Sequence, residues 1–445
     1  MSSANDSCRL SVALIVRDAV DALRETVASV RDMADELVVL DTGSNDASCE
    51  VAAELGARVV HHPWQDDFAN ARNACQKHVT GNWLLWLDAG ERLSADEASS
   101  LRAFVKQEAN PQTAYAILVH VPANGPGSAG EQVARIRLLP NNPLIQYGGR
   151  VRETVADSLV TCGINVDALP YRIRRGPREH EPQTKSEKAR RNIRLSEAEI
   201  RERGVSANLL NCLGDAFQTL NDNQRAQKCF RHALSASPRG SVEMLEAYYG
   251  VVTSLDGDES NRETQLSLCV QALEVFPLDA QLLCAMGGHL HAQGRADLAL
   301  KAYQTAYKYG QVNPVVWHVD EIREIAAICY SIALQADNRP EEALAILEEA
   351  REASPSCGRL RRHLLESYVK RGDRDQALRQ LLVDWLAIEP QNPEAVKYLQ
   401  AIKKADAAQA GDRHLRIDGA SPNGLSPPAS ADLQQPAGES HTPGP

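Results

Sequence analysis

Glu36-Leu37-Val38-Val39-Leu40-Asp41-Thr42-Gly43-Ser44-Asn45-Asp46 is the stretch that decides the fold of the N-terminal part of this chain. Its apolar run is strand-sized and closes on an acid. The Gly-Ser pair turns the backbone sharply. Asp46–Leu55 then reads as a helix, with Asp46 as a natural N-cap and Gly56 as its stop. The same alternation continues on both sides. Leu10–Val16 is a short apolar strand, and Ala19–Arg31 follows with helical spacing at Val20, Leu23, Val27 and Val30. Ala57–His61 is a third strand, Phe68–His78 a helix, and Trp83–Leu87 a fourth strand after Gly81. Strands and helices alternating at this pitch predict a parallel sheet covered on both faces. Ligands of such sheets bind at the carboxyl ends of the strands, so the polar residues after each strand are the candidates for function.

Beyond residue 100 the texture changes twice. Tyr115–Val121 and Val133–Leu139 alternate like antiparallel strands around the Gly- and Pro-rich loop Pro122–Glu131, a smaller region expected to close the site. Arg172–Arg194 is a basic run, helical by Ser186, and reads chiefly as a solvated connecting helix. From Ala207 strand signals vanish. Pro238, Pro277, Pro314, Pro355 and Pro390 recur at intervals of 35–41 residues, the period of tetratricopeptide helix pairs. Small residues such as Gly214, Ala226, Ala233, Gly287, Ala299 and Ala306 allow paired helices to approach, and each proline blocks extension into the next unit. Five units are expected, the second the weakest. After Asp406 the chain is rich in Ala, Gly, Pro and Ser and cannot bury enough apolar area to order itself. The expected organisation is a flexible N-terminus (1–8), an α/β domain (9–175), a basic connecting helix (176–206), helical repeats (207–405) and a disordered tail (406–445).

A net charge of −11 argues against a large nucleic-acid footprint, which needs a basic face. The ten cysteines form no CxxC pair and no His/Cys cluster of zinc spacing, so they read as small buried hydrophobes in a reducing compartment. Met1–Arg9 lacks the order of a signal peptide, and no apolar run approaches the roughly 18 residues of a membrane helix. The expectation is a cytoplasmic protein with no transmembrane segment, for which peripheral membrane contact stays open.

Three clusters carry the candidate chemistry. Asp41 at a strand end can accept hydrogen bonds from a nucleobase or ribose, with Ser44 and Asp46 beside it where helix amides favour anions. A bare strand–turn–helix with caps has the same appearance. Asp88 ends the strand Trp83–Leu87, with Glu91 one short turn later, and carboxylates so placed can hold Mg²⁺ or Mn²⁺ against a diphosphate. In Trp64-Gln65-Asp66-Asp67-Phe68-Ala69-Asn70-Ala71-Arg72-Asn73, Arg72 and Asn73 project from a helix toward the strand ends, and Arg72 suits a phosphate or an acid. His61-His62 lack a third nearby ligand and read as strand-end structure.

Together these residues resemble glycosyltransferase family 2, and within it the subgroup with C-terminal tetratricopeptide repeats. Leu10–Asp18 looks like the family's opening strand. Asp41–Asp46 is similar to its D-T-G-S-x-D turn, Trp64–Asn73 to its W-x-D-D-F-A-x-A-R-N segment, and Gly81–Glu91 to its G-x-W-x-L-x-L-D-A-D-E segment. A weaker match extends through Arg150–Glu153. The resemblance implies an α/β nucleotide-sugar-binding domain of the A-type glycosyltransferase fold, followed by all-α tetratricopeptide-like helical repeats. It implies hexosyl transfer from a nucleotide-sugar donor, UDP-sugar favoured, and a divalent metal. Asp41, Ser44, Asp46, Arg72 and Asn73 would bind donor, Asp88 and Glu91 the metal, and Asp88 and Glu153 would be catalytic.

The departures bear on the metal. Asp18-Ala19-Val20 stands where the family has Asn-Glu-Glu or Asp-Glu-Glu, Gly90 replaces the second Asp of D-x-D, and Arg152 replaces a His. The downstream His is replaced within Arg172–Arg175. The metal, Mg²⁺ or Mn²⁺, is therefore expected to be weakly held or dispensable, with Arg152 and its neighbours supplying part of its charge. Expected partners are the donor and an acceptor or protein on the repeats, which serve equally as a dimerisation element. The alternative is a repeat-based interaction scaffold carrying a catalytically degenerate transferase domain. A sugar-nucleotide pyrophosphorylase fits poorly, because Leu10–Val20 has no Gly-rich triphosphate loop.

Overall fold

A computed structural model describes residues 8–123, 129–176, 181–372 and 376–415. Residues 1–7, 124–128 of the Pro122–Glu131 loop, 177–180 with Arg178, 373–375 and the tail from 416 lie outside the described residues. The chain divides into two compact units. One comprises residues up to 282 together with 311–320, and the other 283–310 and the residues from 321 onward.

The first unit begins β1 (Leu10–Val16), α1 (Val20–Val30), β2 (Glu36–Asp41), α2 (Ser48–Glu54), β3 (Arg58–His61), α3 (Phe68–Gln76) and β4 (Trp83–Trp86). It continues β5 (Glu91–Arg92), α4 (Ala95–Gln107), β6 (Thr113–Val121), β7 (Glu131–Pro140), α5 (Ala156–Thr161) and β8 (Asn165–Arg175). The strand order is β3-β2-β1-β4-β7-β6-β8-β5. β1 pairs in parallel with β2 and β4, and β2 with β3. β7 runs antiparallel to β4 and β6.

The apolar strands are buried on both faces by period two. Leu10, Val12, Leu14, Leu37, Val39 and Leu85 pack with Leu23 and Val27 of α1 and Leu101 of α4. Ala13, Val38, Leu40, Leu84 and Trp86 point the other way, onto Ala71 and Cys75 of α3. The parallel core thus follows from its sequence.

The basic run does not remain together. Arg172–Arg175 belong to β8, which is parallel to β6 and antiparallel to β5, while α6 (Pro182–Arg203) starts after it. The alternation that makes β8 a strand rests on Leu169 and Ile173, which reach the core and are masked in sequence by arginines.

α7 (Ala207–Thr219), α8 (Asn223–Ala236), α9 (Val242–Thr253) and α10 (Arg262–Leu273) follow. Phe230 of α8 lies so close to Gly214 and Gly250 that a Cβ at either would sit 2.4 Å from its ring. Only glycine admits this approach. The remaining helices are α11 (Ala280–Ala292), α12 (Ala296–Tyr309), α13 (Ile322–Ala336), α14 (Pro340–Ala353), α15 (Gly358–Arg371), α16 (Gln376–Ile388) and α17 (Pro393–Leu415). The five recurrent prolines fall between successive helix pairs. α17 runs on past Asp406, where the composition turns, as far as Leu415.

Residues 311–320 form a distinct connection. β9 (His318–Val319) pairs antiparallel with Glu131 and Gln132 of β7, and the Ala134 N–H donates to the Pro314 carbonyl at 2.6 Å. Among the described residues no helix is long and apolar enough to cross a membrane, and no cysteine is in a disulfide.

Candidate active site at the carboxyl edge of the sheet

β1, β2 and β4 end side by side and deliver Asp18, Asp41 and Asp88 to one edge. After β2, the Asp41 carboxylate accepts from the N–H groups of Gly43 at 3.1 Å and Ser44 at 3.0 Å, with His61 Nδ1 at 3.4 Å. Burial pushes Asp41 upward, but the hydrogen bonds of Ser44 and Gly43 win and hold it below the usual carboxylate range. At 4% exposed, it spends its oxygens on shaping the turn. Gly43 has φ +107°, which suits glycine.

The turn is tied to the end of β1. Asp18 sits at φ +50°, its N–H donates to Ser44 Oγ at 3.0 Å, and its Oδ1 accepts from the Asn45 N–H at 2.7 Å. Asp46 Oδ1 accepts from the Ser48 N–H at 3.0 Å and Oδ2 lies 3.5 Å from the Val20 N–H, but the N-cap of α2 is Ala47, one residue later than the sequence suggested. Asp18, Asn45 and Asp46 are the exposed rim.

Asp88 and Glu91 stand at the centre. The turn between them closes with the Glu91 N–H on the Asp88 carbonyl at 2.9 Å, and Gly90 occupies its third position with φ +96°. A type II turn demands that conformation. Asp88 Oδ1 accepts from Arg72 Nη2 at 3.0 Å, and Oδ2 from Arg137 Nη2 at 3.0 Å and Arg175 Nη2 at 3.5 Å. Glu91 Oε1 accepts from Arg137 at 2.6 Å and Arg175 at 3.2 Å, and Oε2 from the Asp88 N–H at 3.0 Å. Burial alone would raise Asp88, but Arg137, then Arg72 and Arg175, hold it well below the carboxylate range. Glu91 is 1% exposed, and burial pushes it above its range, with the Asp88 charge adding to that push.

Arg72 is the hinge of the arrangement. Its Nε donates to Glu153 Oε1 at 2.7 Å. Its guanidinium lies 4.9 Å from the Trp86 ring and 5.3 Å from that of Tyr147. The site expected to touch phosphate therefore joins two carboxylates, Asp88 at 41% and Glu153 at 14% side-chain exposure. Asn73 fixes the Tyr147 wall: its amide donates to the Tyr147 carbonyl at 2.9 Å and accepts from the Tyr147 N–H at 2.8 Å. Both ends of a side chain expected to bind donor are thus committed to a loop.

Arg152, expected to lend charge near the diphosphate, is turned to other partners. It donates to Glu246 at 2.8 Å, to Asn208 at 3.2 Å and to Asp215, on α9 and α7. The arginines beside Asp88 are Arg72, Arg137 and Arg175 instead. Arg137 is the extra residue of a bulge, since Leu138 pairs with Tyr115 and Ile136 with the adjacent Ala116. Bulges re-aim side chains next to active sites.

A divalent cation does not fit Asp88 and Glu91 as they stand. All four carboxylate oxygens already accept from N–H donors, three guanidinium groups surround the pair, and Gly90 offers no ligand. Among the described residues, Asp41, Cys49 and His61 place ligand atoms within 4.8 Å of one another. However, burial, then the Asp41 charge, push the Cys49 thiol up to about 11, so it is protonated at neutral pH.

The family model for glycosyl transferase family 2 matches residues 11–149, and one for the tetratricopeptide repeat matches residues 334–403. A TPR repeat-containing protein of Synechococcus elongatus is 39% identical over 156 residues, 34% of this chain and 36% of that protein. An uncharacterized glycosyltransferase of Rickettsia bellii is 26% identical over 156 residues, 34% of this chain and 52% of that protein. The chain thus spans about half or less of the length of these relatives. Among solved structures, YrrB, titled a TPR protein with an unusual peptide-binding site, aligns at 18% identity over 46% of this chain and 97% of its own, with a TM-score of 0.32. Residues 11–149 of this chain thus match glycosyl transferase family 2, and a tetratricopeptide-repeat match follows at residues 334–403.

Proposed function

We propose that the chain transfers a hexosyl group from a nucleoside diphosphate sugar, UDP-linked by preference, to an acceptor hydroxyl. The observation that carries this reading is the linked set Asp88–Arg72–Glu153 at the sheet's carboxyl edge, inside a family 2 domain. Asp41 and Ser44 shape the turn, and Asp46 with Asp18 and Asn45 forms the rim that receives the nucleoside. Asp88 orders the guanidinium groups at the leaving group. Glu153 is the base: the acceptor oxygen attacks the anomeric carbon, its proton passes to Glu153, and the diphosphate departs with the electron pair of the broken C–O bond. Fixed guanidinium groups stabilise the charge that grows on that diphosphate. Family 2 enzymes commonly use a divalent metal, but no step here runs through one, because the donor set does not accommodate it.

The repeats present the acceptor or a partner protein. Nucleotide-sugar use and ten cysteines without disulfides fit a reducing, cytoplasmic setting. A second reading, a binding scaffold with a degenerate transferase domain, is favoured by one observation, the missing carboxylate at Gly90.

Calorimetric titration of the intact chain with UDP and with GDP separates the two. Micromolar binding of one nucleotide supports the transferase. Absence of binding for both leaves the scaffold.

A further inference from the structure

Two arginines of the first unit remain outside the mechanism above, or only partly used by it. Arg135 of β7 donates Nη1 to the Val315 carbonyl at 3.0 Å, and among the described residues no carboxylate bonds to it. Its guanidinium lies 6.0 Å from the Trp317 ring, and that of Arg175 lies 5.9 Å from the same ring. Trp317 comes from residues 311–320, far along the chain from the family-matched stretch, and β9 fixes it against β7. Both arginines are only partly buried, unlike Arg137 beneath them.

The electrostatics agree with the geometry. Burial, and then the facing charges of Arg152, Arg137 and Arg175, push Arg135 down to about 10, with Glu246 the carboxylate that opposes them. A guanidinium held among like charges has an unmet demand for an anion. Arginine also matches phosphate oxygens with a planar fork of donors.

Resting on the donor reading above, we infer that Arg135 and Arg175, both within about 6 Å of the Trp317 ring, hold the donor's diphosphate in the role a divalent cation fills in related enzymes. Arg137 stays below them and keeps Asp88 and Glu91 ordered. Trp317 walls the pair from one side, so the segment between the helix pairs completes a site that the α/β domain starts. The glycine at position 90 is then tolerated, because the carboxylate missing there served a cation this site does not need.

The test is calorimetric titration of the intact chain with UDP, GDP, UMP and uridine, once in EDTA and once in Mn²⁺, for the wild type and for Arg135→Gln. UDP is expected to bind in EDTA with an affinity that Mn²⁺ leaves nearly unchanged. Arg135→Gln is expected to weaken UDP by about tenfold or more, the scale of one charge-assisted hydrogen bond, and to leave uridine unaffected. Arg135→Lys should recover part of the loss. UDP binding seen only with Mn²⁺ overturns the inference and leaves the donor reading standing, as does an unchanged UDP affinity in Arg135→Gln. Absence of UDP and GDP binding in both conditions overturns the donor reading itself. The EDTA comparison on the wild type decides the matter even where a variant fails to fold.

Discussion

Arg72→Met tests the electrostatic core of the site. The substitution keeps a flexible apolar stem between Trp86 and Tyr147 but removes the charge that joins Asp88 to Glu153. Breaking a buried ion pair by deleting one partner costs about 3–5 kcal/mol, because the other charge is left without compensation. Only Glu153, 14% exposed, bears that cost in full; Asp88 is 41% exposed and keeps Arg137 and Arg175. The expected loss is therefore near the lower end, about 3 kcal/mol. Hydrogen exchange of the peptide covering Trp83–Leu87 reads it locally, as exchange faster by about a hundredfold. Arg72→Met with Glu153→Gln should recover about 1–2 kcal/mol, since neighbours sharing a charge network couple on that scale. A single variant that exchanges at the wild-type rate, or a double variant no better than the single, would refute the reasoning.

Three further outcomes follow from the same structure. Gly250→Ala puts a Cβ 2.4 Å from the Phe230 ring; overpacking of about 1–3 kcal/mol outweighs a helix-propensity gain of about 1 kcal/mol, so exchange across α9 should quicken, and Phe230→Leu in the same chain should slow it again. The folded Asp88 carboxyl lies well below its unfolded value of about 3.9, so its stabilisation is full at neutral pH and is lost as pH falls through the folded value. In Asp88→Asn the acid limb of a urea-stability profile should be shallower below about pH 4, and an unchanged limb would contradict the placement of the three arginines. The Cys49 thiol, raised to about 11 by burial and by Asp41, should resist iodoacetamide at pH 7–8 and react toward pH 11; peptide mass spectrometry that finds it among the quickly alkylated cysteines would count against the packing around Asp41.

The parallel half of the sheet was legible because its apolar residues carry the signal themselves. Val12, Val39 and Leu85 face one way and Ala13, Val38 and Leu84 the other, so a buried strand is the one way to hide them all. The turns after β2 and β4 were legible for the same local reason, since Gly43 and Gly90 punctuate a strand end. The charge network was not. Arg137 lies between Ile136 and Leu138, and a bulge, which depends on pairing with β6, aims it at Asp88 and Glu91 from the opposite part of the chain. Arg175 read as one more member of a solvated basic run, because nothing nearby in sequence says that Glu91 pairs with it across β5 and β8. Trp317 is more distant still, in a segment whose local pattern belongs to the repeats. Asn73 shows the converse limit: its position on α3 was readable, but its engagement with the Tyr147 backbone was not. Side-chain partners set by long-range closure leave no periodicity to read.

The most direct test of the transferase account is release of UDP from a panel of UDP-sugars by the intact chain, followed with time and compared with Asp88→Ala. Asp88 orders the arginines at the leaving group, so the account predicts steady UDP release from at least one donor by the wild type and its loss in the variant, with the far-UV circular dichroism of the two alike. Equal release by wild type and Asp88→Ala would contradict the assignment of this edge of the sheet as the active site.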